Sequence, residues 1–107
     1  MDSNVIFIKT GTTIERVNVD EIYAIISEGN YCTIKTDSRE YVKRTSLIKM
    51  SERLADKNFV QVNKSTLLPI HKIEHVNLTL NKITLAGNEY HLSRNFRKNL
   101  LNLLDTI

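Results

Sequence analysis

The chain begins its regular patterning at Val5 to Lys9, a short apolar run that meets the turn pair Thr10 and Gly11; Ile14 to Val19 then mixes β-branched with polar residues. β-branched side chains suit a pleated surface, so the two runs predict a hairpin. Ile22-Tyr23-Ala24-Ile25-Ile26 is almost wholly apolar, as a strand covered on both faces requires, and it closes in the polar turn Ser27-Glu28-Gly29-Asn30. From Tyr31 to Thr36 the side chains alternate, Cys32 and Ile34 on one face and Tyr31, Thr33 and Lys35 on the other, which predicts a half-buried strand. Asp37 and Ser38 turn the chain into a further strand over Glu40 to Lys43.

Ser46 is placed to cap a helix whose Leu47, Met50 and Leu54 share one face and which stops near Asp56 to Asn58. Phe59 to Val62 and Thr66 to Leu68 flank the polar corner Asn63-Lys64-Ser65, and Pro69, having no N–H to donate, ends or edges the second run. Ile73 to Leu80, Ile83 to Ala86 and Glu89 to Leu92 are separated by Asn81-Lys82 and Gly87-Asn88, the spacing of a three-strand meander in which Val76, Leu78 and Leu80 face the core. Ser93 stands as an N-cap before Phe96, Leu100, Leu103 and Ile107, which fall on one helical stripe and leave Arg94 and Lys98 pointing outward. The pattern predicts a mainly β protein with two helices.

At 107 residues, with no Pro/Ser-rich linker and no internal repeat, a single domain over residues 1–107 is expected. The hydrophobic fraction of 41% and charged fraction of 25% are those of a chain that folds. No apolar run approaches a bilayer span and Met1 is followed by polar Asp2, Ser3 and Asn4, so no membrane partner and a cytoplasmic location are expected. Cys32 is the sole cysteine and cannot form an internal disulfide; in an apolar strand it reads as a buried, inert thiol. A net charge of +3 decides nothing by itself, but Lys43 with Arg44, Lys64, and Arg94 with Arg97 and Lys98 each lie near the end of a predicted element, where they can converge.

Catalytic chemistry finds no support. His71, His75 and His91 lack the close ligand cluster of a tetrahedral metal site, so neither metal nor cofactor is expected, and a metal enzyme built on these histidines is the weakest of three readings. Gly11, Gly29 and Gly87 stand alone rather than in a phosphate-cradling loop. Tyr23, Tyr31, Tyr41, Tyr90, Phe7, Phe59 and Phe96 could stack single-stranded bases only from one exposed sheet face; core packing is their default.

Four stretches carry a family resemblance that spans almost the whole chain: Ile25-Ile26-Ser27-Glu28-Gly29-Asn30-Tyr31, Arg44-Thr45-Ser46-Leu47, Phe59-Val60-Gln61-Val62-Asn63-Lys64-Ser65, and Leu92-Ser93-Arg94-Asn95-Phe96-Arg97. In this order they resemble the LytTR-type DNA-binding domains of bacterial transcription regulators. The resemblance implies an elongated stack of mostly antiparallel β-sheets with a short side helix and a C-terminal helix. Its loops, rather than one recognition helix, would enter two successive major grooves. It also implies that Asn30, Lys64 and Arg94 read bases, an Arg being able to donate two parallel hydrogen bonds to guanine and an Asn to pair with adenine. Arg44, Ser46, Ser65, Asn95, Arg97 and Lys98 would hold phosphates, aided by the free amides of a helix start at Ser93 to Asn95. Without the resemblance, Arg94, Arg97 and Lys98 read as a solvated helix face and Asn30 as a turn residue.

The polar corner departs from the usual family pattern of His-Arg-Ser-Tyr running on through Val to Asn: here it is Asn63-Lys64-Ser65-Thr66, with Pro69 in place of the later Asn. Lys64 keeps the charge but lacks the planar fork of Arg, which favours phosphate contact at this point. The expected function is therefore sequence-specific double-stranded DNA binding as the output part of a response regulator, on direct-repeat sites with a second copy bound alongside. A receiver or sensor domain is absent from these residues. The rival is a non-catalytic β-rich protein-interaction module that has lost DNA binding; basic residues scattered over opposite faces would favour it.

Overall fold

The first hairpin forms as the pattern predicts in the computed structural model, which describes residues 4–107. Strands β1 (Val5–Thr10) and β2 (Thr13–Asn18) pair antiparallel along their whole length and turn through Gly11 at a φ of 62°, a left-handed conformation that glycine adopts without a Cβ clash.

Five strands then build the central sheet: β3 (Ile22–Glu28), β4 (Tyr31–Thr36), β5 (Glu40–Arg44), β6 (Phe59–Asn63) and β7 (Thr66–Pro69), in the spatial order β5-β4-β3-β7-β6. All neighbours are antiparallel, so the sheet is two hairpin-connected units joined where β3 meets β7. Helix α1 (Leu47–Arg53) links the units, with Ser46 Oγ accepting from the Lys49 N–H at 3.1 Å as the expected cap. After Arg53 the chain makes one 3-10 turn over Ala55–Lys57 and leaves it at Asn58, whose φ of 61° ends the helical path. A separate meander of β8 (His75–Asn77), β9 (Lys82–Leu85) and β10 (Asn88–His91) precedes α2 (Arg94–Leu103).

Strand alternation explains why there are two hydrophobic clusters. Adjacent residues of a strand face opposite sides, and Ala24 and Ile25 on β3, like Leu67 and Leu68 on β7, belong to different clusters. Ile25, Leu67, Cys32 and Ile34 pack with Ile8 and Val17 of the hairpin and with Leu47 and Leu54 around α1. On the other face Ala24, Leu68, Val60 and Val62 meet Ile83 and Leu85 of the meander, Leu92, and Leu100 of α2. The central sheet is thus the middle of three layers, in a body 46 × 33 × 24 Å along its principal axes. Its central strand is covered on both faces, as the apolar run at Ile22 to Ile26 predicts.

Several expected core positions lie outside the core. Val76 packs against the second cluster, but Leu78 and Leu80 are 44% and 61% exposed, because the strand ends at Asn77. The Asn77 side-chain oxygen accepts from the N–H groups of Thr79 and Leu80 at 3.0 and 2.9 Å, a local turn that wins over continued pairing. On α2 Leu100 is buried, and Leu104, just past the helix, packs against the second cluster; Leu103 stands on the exposed side of the helix, and Ile107 lies beyond its end at Leu103. Phe7 and Tyr31 are exposed on outer faces, whereas Tyr23, Tyr41, Tyr90 and Phe59 pack against the clusters. Among the described residues no helix is long and apolar enough to cross a membrane.

Ile25 is fully buried in the joining strand and Phe7 is 61% exposed. Urea unfolding should therefore show Ile25→Ala losing about 2–5 kcal/mol, with Phe7→Ala within about 1 kcal/mol of the parent; equal losses would contradict this placement of the core.

Candidate nucleic-acid interface

Pairing register brings the polar tips together. Ile26 stands opposite Thr66 and Ile25 opposite Leu67, and the Ser27 N–H donates to the Ser65 carbonyl at 2.8 Å. The Gly29–Asn30 turn that follows β3 must then lie at the same end of the sheet as the Asn63-Lys64-Ser65 corner. Tyr31 stands opposite Arg44, which brings the end of β5 and the start of α1 to that end as well. The β10–α2 junction is tied on by the Asn63 side-chain amide, donating to the His91 carbonyl at 2.7 Å, and by the Ser93 N–H, donating to the Val62 carbonyl at 3.0 Å. With strands about 4.8 Å apart, the edge from β5 to β6 measures about 19 Å before α2 extends it.

The sequence-predicted residues fall into three adjoining depressions along this end. Asn30, Arg44, Ser46 and Lys49 line the first, Asn63, Lys64, Ser65, Ser93, Arg94 and Asn95 the second, and Arg94, Arg97 and Lys98 the third. Asn30, Arg44, Ser46, Lys64, Arg94, Asn95 and Lys98 are exposed; Ser65 and Arg97 are half-buried. Pro69, by contrast, pairs with Phe59 at the far end of the sheet, so that departure from the family pattern lies away from the basic edge.

Charge is distributed unevenly over the molecule. Toward the far end Arg39 binds Glu15 at 3.0 Å and lies over the Tyr41 ring, and Lys35 meets Glu40 at 4.0 Å; on the meander Lys82 pairs with Glu89 at 3.5 Å. Arg44, Lys64, Arg94 and Lys98 form no ion pair among the described residues. Glu28, the last residue of β3, is an acid at this end. Cations left without a carboxylate keep their field available to an anion outside the protein.

Some side chains already have work inside the fold. Arg97 Nη1 donates to the Leu78 carbonyl at 3.0 Å and to Asn81 Oδ1 at 2.7 Å, fastening the β8–β9 turn to α2. Ser65 donates both its N–H and its hydroxyl to Asn63 Oδ1, at 2.9 and 3.1 Å. Ser93 occupies the N-cap of α2 but makes no side-chain cap bond. Tyr31, 48% exposed beside Asn30, and Lys49, in the first turn of α1, also face this end. Neither was singled out for this role in the sequence: a strand tyrosine reads as core, and a lone lysine on a short helix carries no signal.

His75 and His91 sit on the outer strands of the meander with β9 between them, and His71 bonds Asn58 at 3.1 Å. Among the described residues no group of three His, Cys, Asp or Glu side chains could hold a metal. Burial pushes the Cys32 thiol up from its usual range, and its Sγ lies 3.4 Å from the Thr45 carbonyl, so it is a poor nucleophile at neutral pH.

A sheet whose loop ends, rather than a groove-filling helix, present unpaired cations and amides defines a class of β-built nucleic-acid-binding modules. Residues 12–105 match the model of the LytTr DNA-binding domain, and the chain belongs to the LytTR family, which is defined by DNA binding and not by catalysis. Its fold is that of the LytTr DNA-binding domain of a Bacillus cereus protein described as a methyl-accepting/DNA response regulator. The TM-score is 0.79 and the identity 14%, over 98% of this chain and all of that one. The sensory transduction proteins LytT of Bacillus anthracis and Bacillus subtilis (strain 168) are 28% and 26% identical over 92 and 101 residues, 82% and 91% of this chain. Those residues are 37% and 42% of the relatives, so the chain spans about two-fifths of their length. By family the chain is thus a LytTr-type DNA-binding domain.

The internal bonds of Arg97 separate it from its neighbour Lys98. Without DNA, Arg97→Ala should lower the unfolding free energy by about 1.5–3 kcal/mol, the worth of hydrogen bonds to a charged group, while Lys98→Ala stays within about 0.5 kcal/mol. Denaturant melts showing no difference between the two would contradict the structural role of Arg97.

Proposed function

We propose that this domain binds double-stranded DNA sequence-specifically as the output part of a bacterial response regulator, its loops entering successive major grooves. The observation that carries this reading is the row of cations without carboxylate partners on one edge of the sheet stack. That edge runs about 19 Å across the five strands before α2 extends it, and one turn of B-form DNA rises about 34 Å. Asn30 and Lys64, on two turns, and Arg94, at the start of α2, are the proposed base readers, Arg94 through a two-pronged bond to guanine. Lys64 is a point charge and contributes less discrimination than an Arg would.

Arg44, Ser46, Ser65, Asn95, Arg97 and Lys98 are the proposed phosphate contacts, which fix register without carrying sequence information. Ser46 can donate its hydroxyl outward while its oxygen caps α1, and Asn95 lies in the uncapped first turn of α2, where N–H groups favour an anion. Ser65 and Arg97 contribute least, since their donors are partly used within the fold. Residues 1–107 act as one domain. Control comes from a receiver or sensor domain outside this chain, and two copies meet on direct-repeat DNA.

Titration against a duplex selected from a random pool tests the assignments. Arg94→Ala should lose about 1–3 kcal/mol at one base pair and relax preference there. Lys98→Ala should weaken all duplexes alike and reduce the salt slope by about 1. Unchanged affinity and preference in Arg94→Ala would remove Arg94 as a reader. Light scattering should find a monomer in the free state and two copies on a direct-repeat duplex; a tight dimer without DNA would contradict pairing on the site.

A further inference from the structure

Asn63 sits between two of the proposed reading loops and spends its whole side chain on them. Its amide nitrogen donates to the His91 carbonyl at 2.7 Å, across the gap to the β10–α2 junction. Its oxygen accepts from the N–H and the hydroxyl of Ser65, at 2.9 and 3.1 Å, closing the corner around Lys64. The same corner is held from the other side by the Ser27–Ser65 backbone bond, and the junction by the Ser93–Val62 bond. β6 and β7 are irregular here: the pairing register shifts between Gln61 and Asn63, so the ladder alone does not set the position of the corner.

A primary amide is suited to this task. It carries donors on one atom and an acceptor on the other at a fixed separation, so one rigid plane can bond a carbonyl on one loop and N–H and O–H groups on the next. We infer that Asn63 is a specificity-determining positioning residue that sets the spacing between Lys64 and Arg94 and thereby lets both meet their bases at once. It touches no base itself in this role. The inference rests on the reading of Lys64 and Arg94 as base readers and goes beyond it, because it assigns their joint geometry to a side chain that contacts neither the reading atom of Lys64 nor that of Arg94.

Base readout needs donors placed within a fraction of an ångström, whereas phosphate attraction tolerates displacement, so loss of the strap should separate the two. The test uses the duplex selected from a random pool and a scrambled duplex of the same length, each titrated by fluorescence anisotropy at several salt concentrations. Asn63→Ala should lower the ratio of specific to scrambled affinity about ten-fold, the order of one well-made base contact, and leave scrambled affinity and its salt slope unchanged. Asn63→Asp keeps the acceptor for Ser65 but loses the donor to His91, and should lower the same ratio. In the Arg94→Ala background, Asn63→Ala should cost little more, because the contact it positions has gone.

A ratio unchanged in Asn63→Ala, with Arg94→Ala and Lys64→Ala both lowering it, overturns the positioning role alone. Equal loss on both duplexes, or full additivity with Arg94→Ala, also overturns it and marks Asn63 as a stabilising residue only. If neither Arg94→Ala nor Lys64→Ala changes the ratio, the base-reading assignment falls and the inference with it. Circular dichroism melts of each variant keep the comparison below its unfolding transition.

Discussion

The pairing of β3 with β7 is the constraint on which the rest of the molecule depends. It is short, with Ile25 opposite Leu67, Ile26 opposite Thr66, and the Ser27–Ser65 bond at its open end. Yet it joins the two units of the central sheet, and its residues divide between the two hydrophobic clusters. A slip of one residue would turn every side chain of one unit to the wrong face, exchanging Leu67 for Leu68 and breaking both cores. The hydrophobic burial that forbids the slip is the same force that holds the Gly29–Asn30 turn beside the Lys64 corner. Placement of the basic edge is therefore a by-product of core packing, and no contact among the cations themselves is needed to bring them together.

This arrangement divides labour between the ends of the sheet. At the far end, arginine and lysine are neutralised by glutamates or stacked on tyrosine, interactions that contribute little to stability when exposed but hold those charges within the protein. At the near end Arg44, Lys64, Arg94 and Lys98 form no ion pair among the described residues, so their charge faces outward. Amide side chains and hydroxyls fill the gaps between them: Asn63 and Asn81 hold loops together, and Asn30 is left exposed. Polar residues at one end of a sheet thus serve two purposes, and hydrogen bonding inside the fold distinguishes them.

Most of the architecture was legible in the sequence. Period-two alternation at Tyr31 to Thr36, the wholly apolar run at Ile22 to Ile26, Ser46 before an apolar stripe and the Asn-Lys and Gly-Asn turns of the meander each led to the element observed. In the meander, where the pattern misled, a local polar group had overridden it. Asn77 bends the chain away before Leu78 and Leu80 can pair; at the C-terminus Leu103 stands on the exposed side of α2, and the end of that helix leaves Ile107 outside the core. The candidate site was legible mainly through resemblance, since an exposed Asn or Arg near a turn has no periodicity to betray it. What the sequence could not show was which of those polar groups are already occupied: Arg97 reads as a free surface cation and is bound inside the fold, and Asn63 reads as a corner residue and is the strap across two loops. Such facts depend on distances between segments 16 to 28 residues apart.

The most direct test is to follow backbone amide shifts by NMR while a B-form duplex is added at low ionic strength. The account predicts that the largest changes fall at Gly29–Asn30, Lys64–Ser65 and Ser93–Asn95 together. Thr36 to Arg39, at the other end, should scarcely move. Changes centred on that other end, or none at all in the presence of excess duplex, would contradict it.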